Sequence, residues 1–267
     1  MRVGEYNIVK QIGEGSFGRT FLGQHQLLKS VRVCIKQEKT GQQPYMDMFR
    51  EEAEVIAKLR HPSLPSFMGY LEVGGDIGQV LILSYLEGKP LDTLLDKEGA
   101  VDDEHICWIL DRILGALSYL HGRWNIVHCD LKPGNIILDI PDHNASLVDL
   151  GMASANPVEW TKAKGGTPGF LPPEFNVGLP PIPASDIYST GKIALALSGG
   201  DPLIGDFPKD MHSKLREFLE PWVRHDPRER PQNVDRLRVE LAQIRASIFK
   251  RSSCQEQFRY RNGRVIK

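Results

Sequence analysis

The sequence lacks the features that would indicate a membrane, extracellular or nucleic-acid-binding protein. No stretch approaches the run of about 18 apolar residues that a membrane-spanning helix needs, and residues 1–10 have no apolar core of a secretory signal. The four cysteines are widely spaced and form no Cys-x-x-Cys pair, which favours reduced thiols in a cytoplasmic compartment. The formal net charge of the 267 residues is -1, so no global field favours nucleic acid as a partner.

Short β-prone runs fill the first third of the chain, and helical patterns fill most of the rest. Strands are expected at 6–13, 20–26, 31–37, 66–73 and 79–85, with one helix near 48–59. Apolar residues then recur at helical spacing, which predicts helices at 106–122, 185–197, 213–224 and 233–248. This order predicts a bilobal α+β fold, with a β-rich small lobe over 1–84 and a mostly helical large lobe over 85–248.

The remaining residues, 249–267, form a basic tail. Residues 250–267 hold six basic side chains against one glutamate. This charge pattern predicts a solvated or disordered end, and a juxtamembrane linker is the alternative.

A glycine-rich segment, Gly13-Glu14-Gly15-Ser16-Phe17-Gly18, lies between the first two predicted strands. Glycines at these positions let a backbone close over phosphate groups where side chains would collide. The same composition is also typical of a simple hairpin turn. A dinucleotide-binding fingerprint is excluded, because it would need a helix directly after the third glycine and the next residues are β-prone.

Lys36 ends the apolar strand run Val33-Cys34-Ile35. A buried ammonium group needs an anionic partner, and Glu52 on the following helix could supply one. The alternative is an exposed lysine on an edge strand.

The segment His128-Cys129-Asp130-Leu131-Lys132-Pro133-Gly134-Asn135 combines an acid, a cation and an amide within six residues. Asp149-Leu150-Gly151 begins fourteen residues after Asn135. Asn135 and Asp149 offer the oxygen ligands that Mg²⁺ prefers. Asp130 is placed to accept a hydroxyl proton, and Lys132 to hold a transferring phosphate.

The order of these motifs over about residues 6–236 resembles that of eukaryotic-type protein kinases. The resemblance implies that ATP donates its γ-phosphoryl group, with Mg²⁺, to a protein substrate. Two details resemble the serine/threonine type: Lys132 follows Asp130 by two residues, and Gly166-Thr167-Pro168 places Thr167 to bridge them. Dual specificity stays open.

The resemblance also implies a role for individual residues. Asp130 becomes the catalytic base, and Asn135 and Asp149 become the Mg²⁺ ligands. The other catalytic residues are Lys132, Lys36, Glu52 and Thr167. The implied ATP-binding residues are Ile12, Gly13, Glu14, Gly15, Ser16, Phe17, Gly18, Thr20, Cys34, Lys36, Leu83, Ser84, Tyr85, Leu86 and Ile137. The resemblance also implies an ion pair between Glu174 and Arg230. It further implies that Asp186 is a buried acid that supports the backbone of the catalytic loop.

One departure from the family pattern bears on regulation, because Cys129 stands where many of these kinases have arginine. A phosphate group on the loop between Asp149 and Glu174 would pair with that arginine. Cys129 offers no positive charge for such a pair. We therefore expect activity without phosphorylation of this loop.

Two alternatives from other classes remain. A pseudokinase scaffold would usually have lost the strand lysine, the base or the metal-binding acid, and all three are present. A kinase-like small-molecule phosphotransferase would generally lack the complete glycine loop and the segment Pro172-Pro173-Glu174.

The segment between Gly199 and Met211 is too short, and too rich in proline and glycine, for a three-turn helix. In many protein kinases a helix here forms part of the surface for substrates and regulators, so the large lobe is the expected place for any regulatory partner. We expect an extended loop whose Leu203, Ile204 and Phe207 fold back as an apolar cover.

Overall fold

The computed structural model describes residues 1–15, 18–73, 78–250 and 257–266. The chain divides into two units, Met1–Glu87 and Gly88–Lys267. The lobe limits at residues 84 and 248 stay predictions. Among the described residues, no helix is both long and apolar enough to cross a membrane.

In the part of the first unit that the structure describes, the chain forms a six-stranded antiparallel sheet and one helix. The strand order is β1-β2-β3-β4-β6-β5. The strands are β1 (Arg2–Val3), β2 (Tyr6–Glu14), β3 (Gly18–His25), β4 (Arg32–Glu38), β5 (Phe67–Val73) and β6 (Gly78–Ser84). Helix α1 (Gln43–Lys58) connects β4 to β5. Alternating side chains of the strands form its core, which contains Val3, Val33, Ile35, Val80 and Ile82.

The second unit is mostly helical. Its helices are α2 (Leu91–Glu98), α3 (Asp103–Trp124), α4 (Pro173–Asn176), α5 (Pro183–Ser198), α6 (Ser213–Leu219) and α7 (Val234–Phe249). The Asp102 side chain caps α3 by accepting from the backbone N–H of His105 at 2.9 Å, and Asn125 ends the helix in the left-handed region with φ 49°. Almost every residue of α5 is buried, so this helix is the core of the unit.

Short strands in the second unit hold the loops between the helices. The strands are β7 (Lys89–Pro90), β8 (Ile126–Val127), β9 (Ile136–Asp139), β10 (Asn144–Leu147) and β11 (Ser154–Ala155). They form a three-stranded sheet in the order β10-β9-β7 and a separate pair of β11 with β8. Residues 128–135 therefore bridge β8 and β9, and Asp149 lies just beyond β10.

The end of the chain departs from expectation. Strands β12 (Phe258–Arg259) and β13 (Val265–Ile266) form an antiparallel hairpin. The Phe258 ring is 1% exposed, and its centroid lies 4.6 Å from that of His105. Arg261 pairs with Asp103 at 2.6 Å and with Asp210 at 2.7 Å. The prediction of a solvated or disordered tail is wrong for residues 257–266, because Arg261 has two acidic partners and the rings of Phe258 and Tyr260 are buried.

The segment between Gly199 and Met211 contains no regular helix, as expected. Phe207 is buried at 9% exposure, in agreement with a packed cover. Leu203 and Ile204 are 76% and 73% exposed, so the prediction that they fold back is wrong. A turn at 201–205 carries both side chains outward.

Candidate active site

Lys36 and Glu52 form a largely buried ion pair in the first unit. Lys36 Nζ lies 2.8 Å from Oε1 and 2.7 Å from Oε2 of Glu52, and Glu52 is 3% exposed. Helix α1 directs this acid inward because Phe49, Ala53 and Ile56 share its buried face. The predicted contact is confirmed. The alternative of an edge-strand lysine is wrong, since β4 pairs with β3 on one side and β6 on the other.

The glycine-rich segment lies at the tip of the β2–β3 hairpin, where Gly15 N donates to Gly18 O at 2.9 Å. A Cβ on Gly18 would lie 2.9 Å from the backbone oxygen of Gln37, so packing on β4 requires glycine there. A Cβ on Gly15 would meet no described atom within 4 Å. The backbone at Gly15 is therefore open to a ligand.

Other candidate nucleotide-binding residues of the first unit are neighbours across the sheet. Thr20 pairs with Lys36, and Cys34 pairs with Leu83, which is 6% exposed. The remaining candidates lie at the end of β2 or at and just after the end of β6: Ile12, Gly13 and Glu14, then Ser84, Tyr85 and Leu86. Ser16 and Phe17 lie outside the described residues.

In the second unit, three donors surround the carboxylate of Asp130, which lies on the loop between β8 and β9. Lys132 and Asn135 belong to the same loop, and Thr167 belongs to the 149–174 loop. Asp130 Oδ1 accepts from Thr167 Oγ1 at 2.8 Å. Asp130 Oδ2 accepts from Lys132 Nζ at 2.9 Å and from Asn135 Nδ2 at 3.1 Å. Lys132 Nζ also donates to Thr167 Oγ1 at 2.8 Å. The predicted bridge is confirmed, and these contacts fix the orientation of a carboxylate that is 9% exposed.

A buried acid on α5 supports the backbone of this loop. Asp186 is 1% exposed and accepts from the backbone N–H groups of His128 at 2.8 Å and Cys129 at 3.0 Å. Cys129 lies in the left-handed region, with φ 67°. That conformation is costly for a side chain with a Cβ, so the two charge-assisted hydrogen bonds help to hold it. The expected position of Asp186 is confirmed.

Nothing in the spacing indicated the other partner of Asp186. His121, in the last turn of α3, has Nε2 at 2.8 Å from Asp186 Oδ2. Sequence reasoning missed this contact because α3 and α5 come together only through tertiary packing.

Asn135 and Asp149 have oxygens suited to a divalent cation. Both hydrogen bonds of the Asn135 side chain use Nδ2, at 2.8 Å to Asp130 O and 3.1 Å to Asp130 Oδ2, which leaves the amide oxygen as the potential ligand. Val148, next to Asp149, donates to Asn135 O at 2.9 Å and ties the two segments together. Asp149 is exposed and has φ 63°.

One amide and one carboxylate fit the sparse protein ligation of Mg²⁺, whose other ligands are water and phosphate oxygens. The described residues contain no cluster of three or more His, Cys, Asp or Glu side chains that could hold a metal without such ligands. Ile137, the remaining nucleotide-binding candidate, is half-buried on β9.

The expected pair between Glu174 and Arg230 is bidentate and buried. Arg230 Nη1 lies 2.8 Å from Glu174 Oε1, and Nη2 lies 2.8 Å from Oε2. Ser185 Oγ donates to Glu174 Oε1 at 2.7 Å. Both charged residues are 3% exposed, so each depends on the other for compensation. The pair anchors the end of the 149–174 loop to the segment before α7, and the Ser185 hydrogen bond anchors it to α5.

The Cys129 thiol is 2% exposed and donates to Val127 O at 3.4 Å. Burial, followed by the nearby Asp186 carboxylate, raises the pKa of this thiol. Cys129 is therefore an uncharged side chain at the position where the family pattern has a cation.

Comparisons with known proteins show which proteins this chain is similar to. The family model described as "Protein kinase domain" matches residues 6–255. Cysteine-rich receptor-like protein kinase 25 of Arabidopsis thaliana is 31% identical over 229 residues, 82% of this chain and 33% of the relative. Serine/threonine-protein kinase PknA of Mycobacterium tuberculosis is 29% identical over 268 residues, 91% of this chain and 62% of the relative.

Serine/threonine-protein kinase B of Synechocystis is 29% identical over 241 residues, 83% of this chain and 40% of the relative. The chain thus spans between 33% and 62% of the length of these curated relatives.

Proposed function

The chain belongs to the protein kinase domain family, and we propose that it transfers the γ-phosphoryl group of ATP to serine or threonine hydroxyls of protein substrates. The observation that carries this proposal is the contact set of Asp130, Lys132 and Thr167, with three distances between 2.8 and 2.9 Å. It holds one carboxylate and one ammonium side by side in a fixed orientation. The names of two relatives, both serine/threonine-protein kinases, support the choice of acceptor.

In this proposal Asp130 accepts the proton of the substrate hydroxyl as the hydroxyl oxygen bonds to the γ-phosphorus. The bond from that phosphorus to the bridging oxygen breaks, and ADP leaves. The hydrogen bonds from Thr167 and Asn135 hold the carboxylate in place for that transfer. Lys132 lies beside it and neutralises charge on the transferring group. Phosphoryl transfer depends mainly on positioning and charge neutralisation, so this arrangement supplies what the chemistry requires.

Lys36 holds phosphate oxygens of ATP, and Glu52 fixes its ammonium group by the two short contacts described above. The open backbone at Gly15 is suited to lie over the phosphates. Asn135 and Asp149 would hold Mg²⁺, which neutralises phosphate charge when bound. The remaining nucleotide-binding assignments, the cytoplasmic compartment and a regulatory partner on the second unit stay predictions from the sequence.

The pseudokinase and small-molecule alternatives have no observation in their favour. The lysine–glutamate pair is formed, and the Asp130 contacts are complete. The intact Glu174–Arg230 pair also matches the part of the pattern that small-molecule phosphotransferases generally lack.

The test is transfer of labelled phosphate from ATP to peptides that offer serine, threonine or tyrosine in one common background. We expect serine and threonine peptides to be labelled. Asp130→Asn and Asp149→Ala should each lower turnover by about 10²–10⁴-fold, while Asp130→Asn keeps nucleotide binding. Wild-type activity in Asp149→Ala would contradict the metal assignment, and exclusive labelling of tyrosine would contradict the acceptor assignment.

A further inference from the structure

A buried acid, Glu38, lies at the end of β4, two residues after Lys36. It is 5% exposed. Its Oε1 accepts from the backbone N–H of Thr40 at 2.7 Å and from Thr40 Oγ1. Its Oε2 accepts from the backbone N–H of Gly41 at 3.0 Å. A buried carboxylate is costly unless hydrogen bonds compensate it, so these contacts bind the connection that follows β4 to the strand itself.

The same contacts organise the start of α1. Thr40 Oγ1, which donates to Glu38, also accepts from the backbone N–H of Gln42 at 3.1 Å. Gly41 has φ 64°, a conformation that favours glycine, and it turns the chain from the strand towards the helix. Within the described residues 38–58, α1 has no acidic side chain in its first turn, and Gln42 makes no side-chain capping bond. Glu38 therefore supplies the negative charge that stabilises the start of a helix.

Strand β4 thus holds α1 at two separate points. Residues two apart on a strand project to the same face of a sheet, so Lys36 and Glu38 both lie on the side of the helix. Lys36 binds Glu52 in the third turn of α1, and Glu38 binds the connection just before Gln43. Nine residues separate Gln43 from Glu52, which is about 14 Å along the helix. A helix held at one point can pivot there, whereas two points fix its orientation.

We propose that Glu38 is a positioning residue for phosphoryl transfer. By fixing the start of α1 it sets the position of Glu52, and through Glu52 the orientation of the Lys36 ammonium group. The two contacts between Lys36 and Glu52 are short, so a small displacement of α1 weakens both. The inference rests on the proposed function, because the orientation of Lys36 affects transfer only if this side chain holds phosphate oxygens of ATP.

The kinetic test measures phosphorylation of one serine peptide by the 267-residue chain. Glu38→Gln keeps the shape of the side chain but places an amide N–H against a backbone N–H. We expect kcat to fall about 10- to 100-fold, because a misplacement of about 1 Å costs on the order of 10²-fold, while KM for the peptide stays within about twofold. Thr40→Val, which removes only the hydroxyl contacts, should lower kcat less. Glu54→Gln removes the same charge at an exposed position of α1 and is the matched control, with kcat unchanged.

A double-mutant cycle separates positioning from general destabilisation. If Glu38 acts through Glu52, then Glu38→Gln should lower kcat by less than about twofold once Glu52→Gln is already present. Equal losses of kcat in the two backgrounds would overturn the proposal and would assign Glu38 to the stability of the sheet alone. The pair Thr40→Val and Glu52→Gln repeats the cycle with a variant that keeps the buried carboxylate.

Amide hydrogen exchange of the chain without nucleotide measures the start of α1 independently of transfer. Glu38→Gln should speed exchange in the first turn of α1 by at least about fivefold and leave α7 unchanged. If exchange responds in this way but the wild-type chain labels no peptide, the hold of Glu38 on α1 is supported and the proposed activity fails. If exchange and kcat are both unchanged in Glu38→Gln while the wild-type chain labels the peptide, the proposal is overturned and the activity stands.

Discussion

The 201–205 turn and the C-terminal hairpin of residues 257–266 differ from their sequence-based expectations in opposite directions. The apolar residues Leu203 and Ile204 were expected to be covered and are exposed. The basic tail was expected to be solvated, but its residues 257–266 pack against α3. Hydrophobic content alone does not decide burial. In the hairpin, Arg261 contacts acidic side chains and Phe258 contacts aromatic rings. The turn is hydrogen-bonded to the core through its backbone, and its apolar side chains remain in water.

Removing the buried ring of the hairpin should produce the largest effect. Phe258→Ala deletes a side chain that is 1% exposed between His105 and Trp108, and such a change typically costs about 3–5 kcal/mol. Denaturant unfolding of the full chain measures the loss. Arg259→Ala, at an exposed position of the same strand, is the control and should change stability by less than about 0.5 kcal/mol. Equal stability of the two variants would show that the hairpin does not support the fold.

The ionic contacts of the hairpin should contribute less. Arg261→Ala removes contacts to Asp103 and Asp210, and we expect a loss of about 1.5–3 kcal/mol, the range for hydrogen bonds to charged groups. The Asp210 side chain is 74% exposed, so added salt should screen its contact with Arg261. At high salt the loss of stability in Arg261→Ala should therefore be smaller, mainly because the Asp210 contact is already weakened in the wild type. Unfolding at low and high salt separates the two parts, and a complete loss of the effect at high salt would contradict the assignment to Asp103.

Most of the secondary structure and the central contacts of the site could be predicted from the sequence. The Lys36–Glu52 pair was expected because a strand lysine needs an anionic partner. The Glu174–Arg230 pair and the Thr167 bridge to Asp130 were expected from the resemblance to protein kinases. The contact of Asp103 with Arg261 of the hairpin could not be foreseen. It joins residues about 160 positions apart, and neither segment has a pattern that identifies the other.

The exposure of Leu203 and Ile204 was unpredictable for a related reason. A backbone acceptor, Pro202 O, positions the turn by binding the buried amine of Lys192, and backbone acceptors leave no trace in side-chain patterns. The eight-residue helix α2 and the two-residue strands β7, β8 and β11 were missed because they are shorter than the stretch over which a repeat can be recognised, about 11–18 residues for a helix and 4–8 for a strand.

The apolar side chains of the turn should have little effect on stability, in contrast to Phe258. Leu203→Ser with Ile204→Ser should change the free energy of unfolding by no more than about 0.5 kcal/mol, because both side chains are already in water. The same denaturant assay measures it. A loss above about 2 kcal/mol would mean that these residues cover apolar surface after all.

Another exposed segment, the 149–174 loop, should show the smallest change. Cys129 has an uncharged thiol at the position where a cation would pair with a phosphate group on this loop. Removing two hydroxyls that could carry such a phosphate, by Ser154→Ala with Thr161→Ala, should therefore keep turnover within about twofold. Peptide phosphorylation before and after phosphatase treatment provides the measurement. A loss above about tenfold in either experiment would show that a loop phosphate has another cationic partner.

Gly18, the third glycine of the segment between β2 and β3, affects how mutations in that segment should be interpreted. An alanine at Gly18 would press its methyl group against the Gln37 carbonyl of the neighbouring strand. An inactive Gly18→Ala enzyme would therefore report a distorted sheet, and it would say nothing about nucleotide contacts. Gly15, whose Cβ position is clear of described atoms, is the residue at which the same substitution separates ligand recognition from architecture.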